Sequence, residues 1–320
     1  MTGPVSGHYQ VVSYVMVFAP APQLTITIEA EGDQPDVHLH AGGQGIWQAR
    51  MVTSFGVRVV VCAILGGETG RVLEPLIRAE DVDLQPVYGE SRNGSYIHDR
   101  RGGERVSVVE TSGDPPTRHE LDELYGLALA EGLDAGICLL SGVPEPVLVR
   151  PEVYRRLATD LRNNGAQVLA DLSGEHLMAV LDAGVDFVKV SHEELLRDEF
   201  AGDDSIDSLV RAVHELRKRG ADAVVVTRAE EPALALLPDD GTIVEVDMPK
   251  LEVADHRGAG DSLTAGVAAV LARGGDLDAA IRTGAAAGAL NVTRHGLGTG
   301  RADVIERLVE RVSLRPLDRG

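Results

Sequence analysis

What most limits the fold of this chain is the regular exchange of apolar runs and amphipathic stretches from about residue 115 onward. Helical periodicity over Thr117 to Ala130 gives way to the apolar run Ala135 to Leu140. A second helical stretch, Glu152 to Asn164, ends at Gly165 and precedes the runs Val168 to Asp171 and Phe187 to Val190. A third, Ser205 to Arg219, stops at Gly220 before Ala223 to Thr227 and Ala233 to Leu237. Two Ala-rich helices, Asp261 to Arg273 and Asp276 to Asn291, and a last one over Ala302 to Val312 follow. Short apolar runs bounded by turns predict strands covered on both faces, and the helices between them make βαβ units. Together they predict an α/β fold: a doubly wound, mostly parallel sheet with helices on both faces.

The N-terminal third adds two kinds of strand. Val11 to Phe18 and Val57 to Leu65 are apolar runs of the kind just described. Leu24 to Ala30 instead alternates Leu24, Ile26 and Ile28 with Thr25, Thr27 and Glu29, the period of a half-buried strand. Gly94 to Val109 reads as two strands around the turn Arg101-Gly102-Gly103-Glu104. Half-polar strands at about 24–40 and 94–110 do not suit a sheet buried on both faces. They predict a small β lid at one edge of a single domain spanning 1–320. Arg100 and Arg101 read as solvated residues of the lid turn, and the first ten residues as a loose leader.

Composition narrows the partners. The 320 residues hold 50 acidic and 30 basic side chains, a formal charge of −20. That balance speaks against nucleic acid and anionic membrane surfaces, which attract positive charge. A local basic patch can still oppose the global sign. No run approaches the length of a membrane span, and no basic region followed by an apolar stretch marks a signal peptide. Cys62 and Cys138 sit inside apolar runs and read as small buried strand residues, which suits a reducing, cytoplasmic location. His38 and His40 share one face of a strand but lack a third ligand, so no metal site is predicted there. Ser141, His176 and Asp171 lack the Gly-x-Ser-x-Gly elbow of a hydrolase.

The sharpest chemical signal is Arg257-Gly258-Ala259-Gly260-Asp261-Ser262-Leu263-Thr264-Ala265-Gly266. A glycine turn opens directly into an apolar helix, whose first N–H groups and dipole favour negative charge. Asp261 has two readings here. It is a favoured helix N-cap, or it is a functional carboxylate beside an anion site. Gly258 and Gly260 permit close approach of a phosphate, which a plain cap does not require.

This segment resembles the signature of PfkB (ribokinase-like) sugar kinases, and the resemblance extends over about residues 15 to 300. It is closest to the branch of 1-phosphofructokinases and tagatose-6-phosphate kinases. Ala41-Gly42-Gly43-Gln44-Gly45-Ile46 resembles that branch's glycine-rich motif, and Leu65-Gly66-Gly67-Glu68-Thr69-Gly70 follows at the expected distance. Ser141-Gly142, Asp171-Leu172-Ser173-Gly174, Ala286-Ala287-Gly288-Ala289 and Thr293-Arg294-His295-Gly296 fit the same order. The resemblance implies an ATP- and Mg²⁺-dependent kinase of a small-molecule alcohol, with Asp261 as base and Gly258, Ala259 and Gly260 framing the anion hole. It places Thr227, Arg228, Arg257, Ser262 and Asn291 on the nucleotide side and Glu194 near the metal. Thr25, Gly42, Gly43, Gln44, Trp47 and Ser141 fall on the acceptor side. By analogy it also suggests a homodimer through the lid.

The departures from the pattern concentrate where the acceptor is chosen. The branch's Asn-Pro-Ala-apolar-Asp segment reads Ala21-Pro22-Gln23-Leu24-Thr25, so Thr25 replaces the aspartate that grips sugar hydroxyls. Gln44 replaces a phosphate-binding lysine, and Trp47 replaces an asparagine. Gln44 cannot neutralise a phosphate, so a hexose phosphate is a doubtful acceptor. Trp47 reads either as packing or as a stacking wall for a ring compound. On the nucleotide side Ser191-His192-Glu193-Glu194 stands for Asn-x-x-Glu. Thr227-Arg228-Ala229-Glu230-Glu231-Pro232 has lost both glycines of its turn, and Pro232 is expected to deny that turn its usual shape. Arg257 either contacts a phosphate or is a surface arginine. Two alternatives therefore stand beside the sugar kinase: a ligand-binding protein on a kinase scaffold, and a nucleoside-type kinase.

Overall fold

The computed structural model describes residues 13–238, 240–294 and 296–317. The leader 1–10, the start of the run at Val11 and His295 lie outside the described residues. A ten-stranded sheet runs through the chain. Its seven parallel strands are β1 (Tyr14–Phe18), β4 (Val59–Gly66), β5 (Asp83–Gly89), β8 (Gly136–Ser141), β9 (Gln167–Asp171), β10 (Val185–Ser191) and β11 (Ala221–Arg228). They lie in the order β11-β10-β9-β8-β1-β4-β5. The antiparallel strands β12 (Glu231–Leu236), β13 (Ile243–Asp247) and β14 (Ser313–Pro316) extend it beyond β11.

Alternation along the central strands explains their apolar composition. Val15 and Val17 enter one core layer, whereas Tyr14, Met16 and Phe18 enter the other. Val59, Val61, Ala63 and Leu65 follow the first, and Val60, Cys62 and Ile64 the second. With helices over both faces, neither parity can be polar. The first layer is closed by α1 (Gln44–Ser54), α2 (Gly67–Arg78), α8 (Ala259–Ala272), α9 (Leu277–Asn291) and α10 (Ala302–Val309). The second is closed by α3 (Arg118–Ala135), α4 (Pro151–Asn163), α5 (Gly174–Ala183), α6 (His192–Arg197) and α7 (Ile206–Arg219).

Helices α8 and α9 meet along a seam of small residues. A Cβ on Gly266 would stand 2.8 Å from Gly284 Cα, and one on Gly288 would stand 2.9 Å from the Ala259 carbonyl oxygen. This close approach fixes the height at which α8 begins.

A separate four-stranded sheet has the order β3-β2-β6-β7, from β2 (Gln23–Glu31), β3 (Gln34–Gly42), β6 (Asn93–Asp99) and β7 (Val106–Gly113). Leu24 and Ile26 on one face lean onto the first core layer. The opposite face buries Thr25, Thr27, Tyr96 and His98, and Thr27 Oγ1 lies 3.1 Å from His98 Nε2.

Several boundaries differ from the sequence reading. Ala135 is the last residue of α3, not the first of a strand, because Gly136 takes φ = +80° and turns the chain straight into β8. The final helix ends at Val309, and Ser313–Pro316 becomes the edge strand β14. Arg100 is not a solvated turn residue: its side chain is buried against Asp255, while Arg101 is exposed and pairs with Asp99.

Candidate active site

The glycine turn leads to an open helix terminus. Gly258 takes φ = +74° and is the N-cap of α8. A Cβ there would be strained by that backbone and would press on Asn291 Nδ2 at 3.3 Å. The first intrahelical bond runs from Ser262 N–H to the Gly258 carbonyl at 2.9 Å. The N–H groups of Ala259, Gly260 and Asp261 therefore precede the helical ladder. Asp261 is the third helical residue, so its capping role is corrected: the cap position belongs to Gly258, with no side-chain cap bond.

Behind this terminus lies a buried polar cluster. A Cβ on Gly260 would come within 2.6 Å of Lys189 Nζ, so the glycine lets an ammonium group rest against the turn. Lys189 donates to Asp171 Oδ1 at 3.0 Å. Asp171 Oδ2 also accepts from Gln48 Nε2 and Thr264 Oγ1, each at 2.9 Å. Burial alone would lower the Lys189 pKa, but Asp171, Glu194 and Asp261 outweigh it and hold the group charged. Asp261 is only 9% exposed. Burial, then the Asp171 charge, push its pKa up to about 7 against the pull of Lys189 and a hydrogen bond from Gln44. A carboxyl group poised near neutrality suits proton transfer at physiological pH.

The nearby cavity of about 230 Å³ is lined by Gln44 but not by Asp261 or residues 258–260, so the carboxyl reaches it only through Gln44. Gln44 opens α1 after Gly43, which takes φ = +96°, and its Oε1 accepts from Gly142 N–H at 2.6 Å. Gln23, Gln44, Trp47, Val143 and Glu110 contribute side chains to the cavity wall. Trp47 is half-buried there, so packing and wall coincide in one side chain. Among the described lining residues Glu110 is the one charged side chain. It arrives from β7, where it pairs with Tyr96 of β6.

Other residues assigned by resemblance sit behind the site. Thr25 is buried, and a Cβ on Gly42 would strike its hydroxyl. Ser141 is fully buried and donates to Gln48, so its side chain does not line the cavity. Ser262 is fully buried as well. Asn291 is a staple: its Nδ2 donates to the Arg257 carbonyl at 2.7 Å and its Oδ1 accepts from Gly298 N–H at 3.1 Å.

Of the residues that the resemblance assigned to the nucleotide and metal, Glu194 Oε2 accepts from Ser191 N–H at 2.7 Å in a reciprocal capping box. Thr227 presents its carbonyl to His192 Nδ1 at 3.3 Å. Arg228 Nη1 donates to the Pro232 carbonyl at 3.1 Å across a tight hairpin. Ala229 holds φ = +51° in that hairpin, a conformation that favours glycine. Among the described residues no three His, Cys, Asp or Glu side chains form a metal cage.

Sequence reading missed Lys189, Gln48, Thr264 and Glu110. Lys189 did leave a trace, a lone cation in Phe187-Val188-Lys189-Val190. Glu110 left none, because only the pairing of β7 with β6 turns it toward the cavity.

A family model described as pfkB family carbohydrate kinase matches residues 11–303. The chain is 25% identical over 279 residues to a 1-phosphofructokinase of Bacillus subtilis, covering 87% of this chain and 89% of that one. The crystal structure of phosphofructokinase-2 from Escherichia coli in complex with potassium superposes with a TM-score of 0.82 at 23% identity, over 93% of this chain and 99% of that one. Arabidopsis thaliana ribokinase complexed with ribose and ATP superposes with a TM-score of 0.73 at 19% identity, covering 93% and 99%. These superpositions show a ribokinase-like fold. With the family match across most of its length, the chain belongs to the pfkB family of carbohydrate kinases, phosphotransferases whose acceptor is an alcohol group.

Proposed function

We propose that this protein transfers the γ-phosphate of ATP to a hydroxyl group of a small, uncharged ring compound or polyol. Asp261 takes the hydroxyl proton as the acceptor oxygen attacks the γ-phosphorus. The bond from that phosphorus to the β-bridging oxygen breaks, and ADP leaves. The N–H groups of Ala259, Gly260 and Asp261, with Lys189 behind Gly260, receive the charge that builds on the phosphoryl oxygens. The observation that carries this reading is the placement of Asp261: a buried carboxyl in the first turn of α8, beside the Gly260 turn that Lys189 backs, with its pKa raised by burial and Asp171.

Magnesium suits the residues present. The ion keeps several waters and asks for one or two carboxylates plus phosphate oxygens. Glu194, half-buried and steadied by Ser191, is the residue that would support it, and the bound ion would neutralise phosphate charge.

The acceptor class follows from the cavity wall. Glu110 accepts hydrogen bonds from hydroxyl groups and repels a phosphate dianion, and the described lining offers no cation to offset it. Trp47 provides a flat apolar surface for a ring. Nucleosides remain within this class, whereas hexose phosphates do not fit it. The four-stranded sheet acts as a lid over the acceptor, and its exposed Val37, Leu39, Val106 and Val109 support a homodimer through that lid.

The test is a panel of free sugars, polyols, nucleosides and sugar phosphates with ATP-Mg²⁺, run on wild type and Asp261→Asn. Transfer to an uncharged acceptor is expected to fall by roughly 10²-fold or more in the variant. Asp261→Asn turnover within threefold of wild type removes Asp261 as base. Turnover of sugar phosphates alone overturns the acceptor class. The reshaped 227–232 hairpin favours a second reading, a ligand-binding protein without transfer, and calorimetry that finds no ATP-Mg²⁺ binding at millimolar nucleotide supports it.

A further inference from the structure

The turn between β6 and β7 crosses to the segment that leads into α8. Arg100 and Arg105 both reach Oδ2 of Asp255, Arg105 at 3.3 Å. The three side chains are 7%, 11% and 12% exposed, respectively. Asp255 is itself fixed, because its N–H donates to the Val292 carbonyl at 3.1 Å and its Oδ1 accepts from Arg257 N–H at 3.1 Å. Arg257 Nη1 meets the Tyr96 hydroxyl at 3.2 Å, with the guanidinium 5.4 Å from the ring centroid.

A mechanical clasp needs one cation for one carboxylate, and Arg100 with Asp255 already meets that need. Arg105 shares the same oxygen, and its Nε is buried with no hydrogen-bond partner. Arg257 has a neutral phenol as its side-chain partner and, among the described residues, no carboxylate within ion-pair distance of its guanidinium. Beside them His98 stacks on Tyr96 with its Nδ1 unpartnered, and burial and the arginines hold its pKa down at about 4, so it is neutral at physiological pH. Of Arg105 and Arg257, the buried one is Arg105, and holding its surplus charge there is costly unless an anion arrives to match it, while Arg257 is exposed beside it. Arg257 is followed directly by Gly258, so this surplus adjoins the open N–H groups and the positive end of the α8 dipole.

We propose that Arg105 and Arg257, brought together when the lid meets Asp255, form a phosphate site that grips the terminal phosphates of the nucleotide donor. The proposal rests on the kinase reading above, and it adds that the lid carries part of the donor site as well as covering the acceptor. Guanidinium forks suit this task because they bind phosphate oxygens in pairs. Lid closure and donor charge neutralisation then become one event.

Calorimetry with inorganic tripolyphosphate, ATP, adenosine and orthophosphate tests the site without an acceptor, on wild type, Arg105→Gln, Arg105→Lys and Arg257→Gln. Wild type is expected to bind tripolyphosphate. Arg257→Gln, an exposed position that leaves folding untouched, and Arg105→Gln are each expected to weaken it at least tenfold, with adenosine affinity unchanged. Arg105→Lys recovers part of the loss. Tripolyphosphate affinities within twofold across all four proteins, or no binding by wild type, overturn the proposal. So does Arg105→Gln that speeds amide exchange at 99–106 without weakening tripolyphosphate, since the arginine is then a clasp only. Orthophosphate that binds more tightly than ATP assigns the site to a free-phosphate effector and also overturns it. Arginine-dependent tripolyphosphate binding without transfer to any acceptor leaves this site standing and removes the kinase reading. Transfer that ignores both arginines does the reverse.

Discussion

Asp261 carries opposite demands of stability and catalysis. Its carboxyl titrates at about 7 in the fold and at 3.8 when unperturbed. Between these values the folded protein keeps a proton that the unfolded chain has released. Stability therefore falls as pH rises through that window. Proton abstraction needs the ionised form, so turnover rises over the same window and levels off above about pH 8. Asp261→Asn separates the two effects: a melting temperature at least ~2 °C above wild type at pH 8, with little difference near pH 4, while turnover is lost. A wild-type rate that stays flat between about pH 5 and pH 8 removes Asp261 as the titrating base. The neighbours that set this pKa come from four elements, namely Asp171 from β9, Lys189 from β10, Gln44 from α1 and Glu194 from α6. The motif at 258–266 marks the carboxyl in the sequence, but nothing local marks the cluster that tunes it.

At the scale of elements, the start of α8 depends on a left-handed backbone and a close contact at Gly258 that a Cβ would spoil. Gly258→Ala would place a side chain at φ = +74° and 3.3 Å from Asn291 Nδ2, the group that holds the Arg257 carbonyl. A loss of about 1–2 kcal/mol in unfolding free energy is expected, with the KM for ATP raised more than the KM for the acceptor. Denaturant titration and steady-state kinetics check both, and equal effects on the two KM values would place the anion hole elsewhere. Strands covered on both faces, such as β1 and β4, were legible because burial leaves little but apolar residues in them, whereas β5, β13 and β14 toward the ends of the sheet carry polar residues and were not. Helix α1 was not, because Gly42-Gly43-Gln44-Gly45 reads as a loop while the helix already begins at Gln44. Helix α2 was hidden the same way by Gly67, Gly70 and the internal Pro75. The turn at 227–232 shows the converse. Its glycines are gone, yet Ala229 adopts φ = +51° and Pro232 lies in β12, so the hairpin forms without them.

At the scale of the whole molecule, a chain of net charge −20 sets Arg100 and Arg105 of the lid turn against Asp255 and leaves an apolar face on the lid. Across the four-stranded sheet, Leu39 of β3, Ile26 of β2, Ile97 of β6 and Val109 of β7 lie side by side in register. The outer members of this row, Leu39 and Val109, are each 45% exposed, and Val37 and Val106 beside them 54% and 60%. Among the described residues β3 and β7 are the edges of this sheet, and such edges invite a partner. A second copy of the same sheet meets both needs, since like faces are complementary under two-fold symmetry. Sedimentation is expected to give twice the 34.0 kDa chain mass. Leu39→Glu places two carboxylates in that face for every pair of chains, so the variant is expected to sediment as a single chain. Because Leu39 packs on nothing deep in the core, its melting temperature should change by less than ~2 °C once dimer dissociation is allowed for. The acceptor KM should rise, because the lid strands that carry Thr25 and Glu110 lose their support. A wild-type protein that sediments at 34.0 kDa at all concentrations would show that the apolar face faces solvent and that the lid stands without a partner.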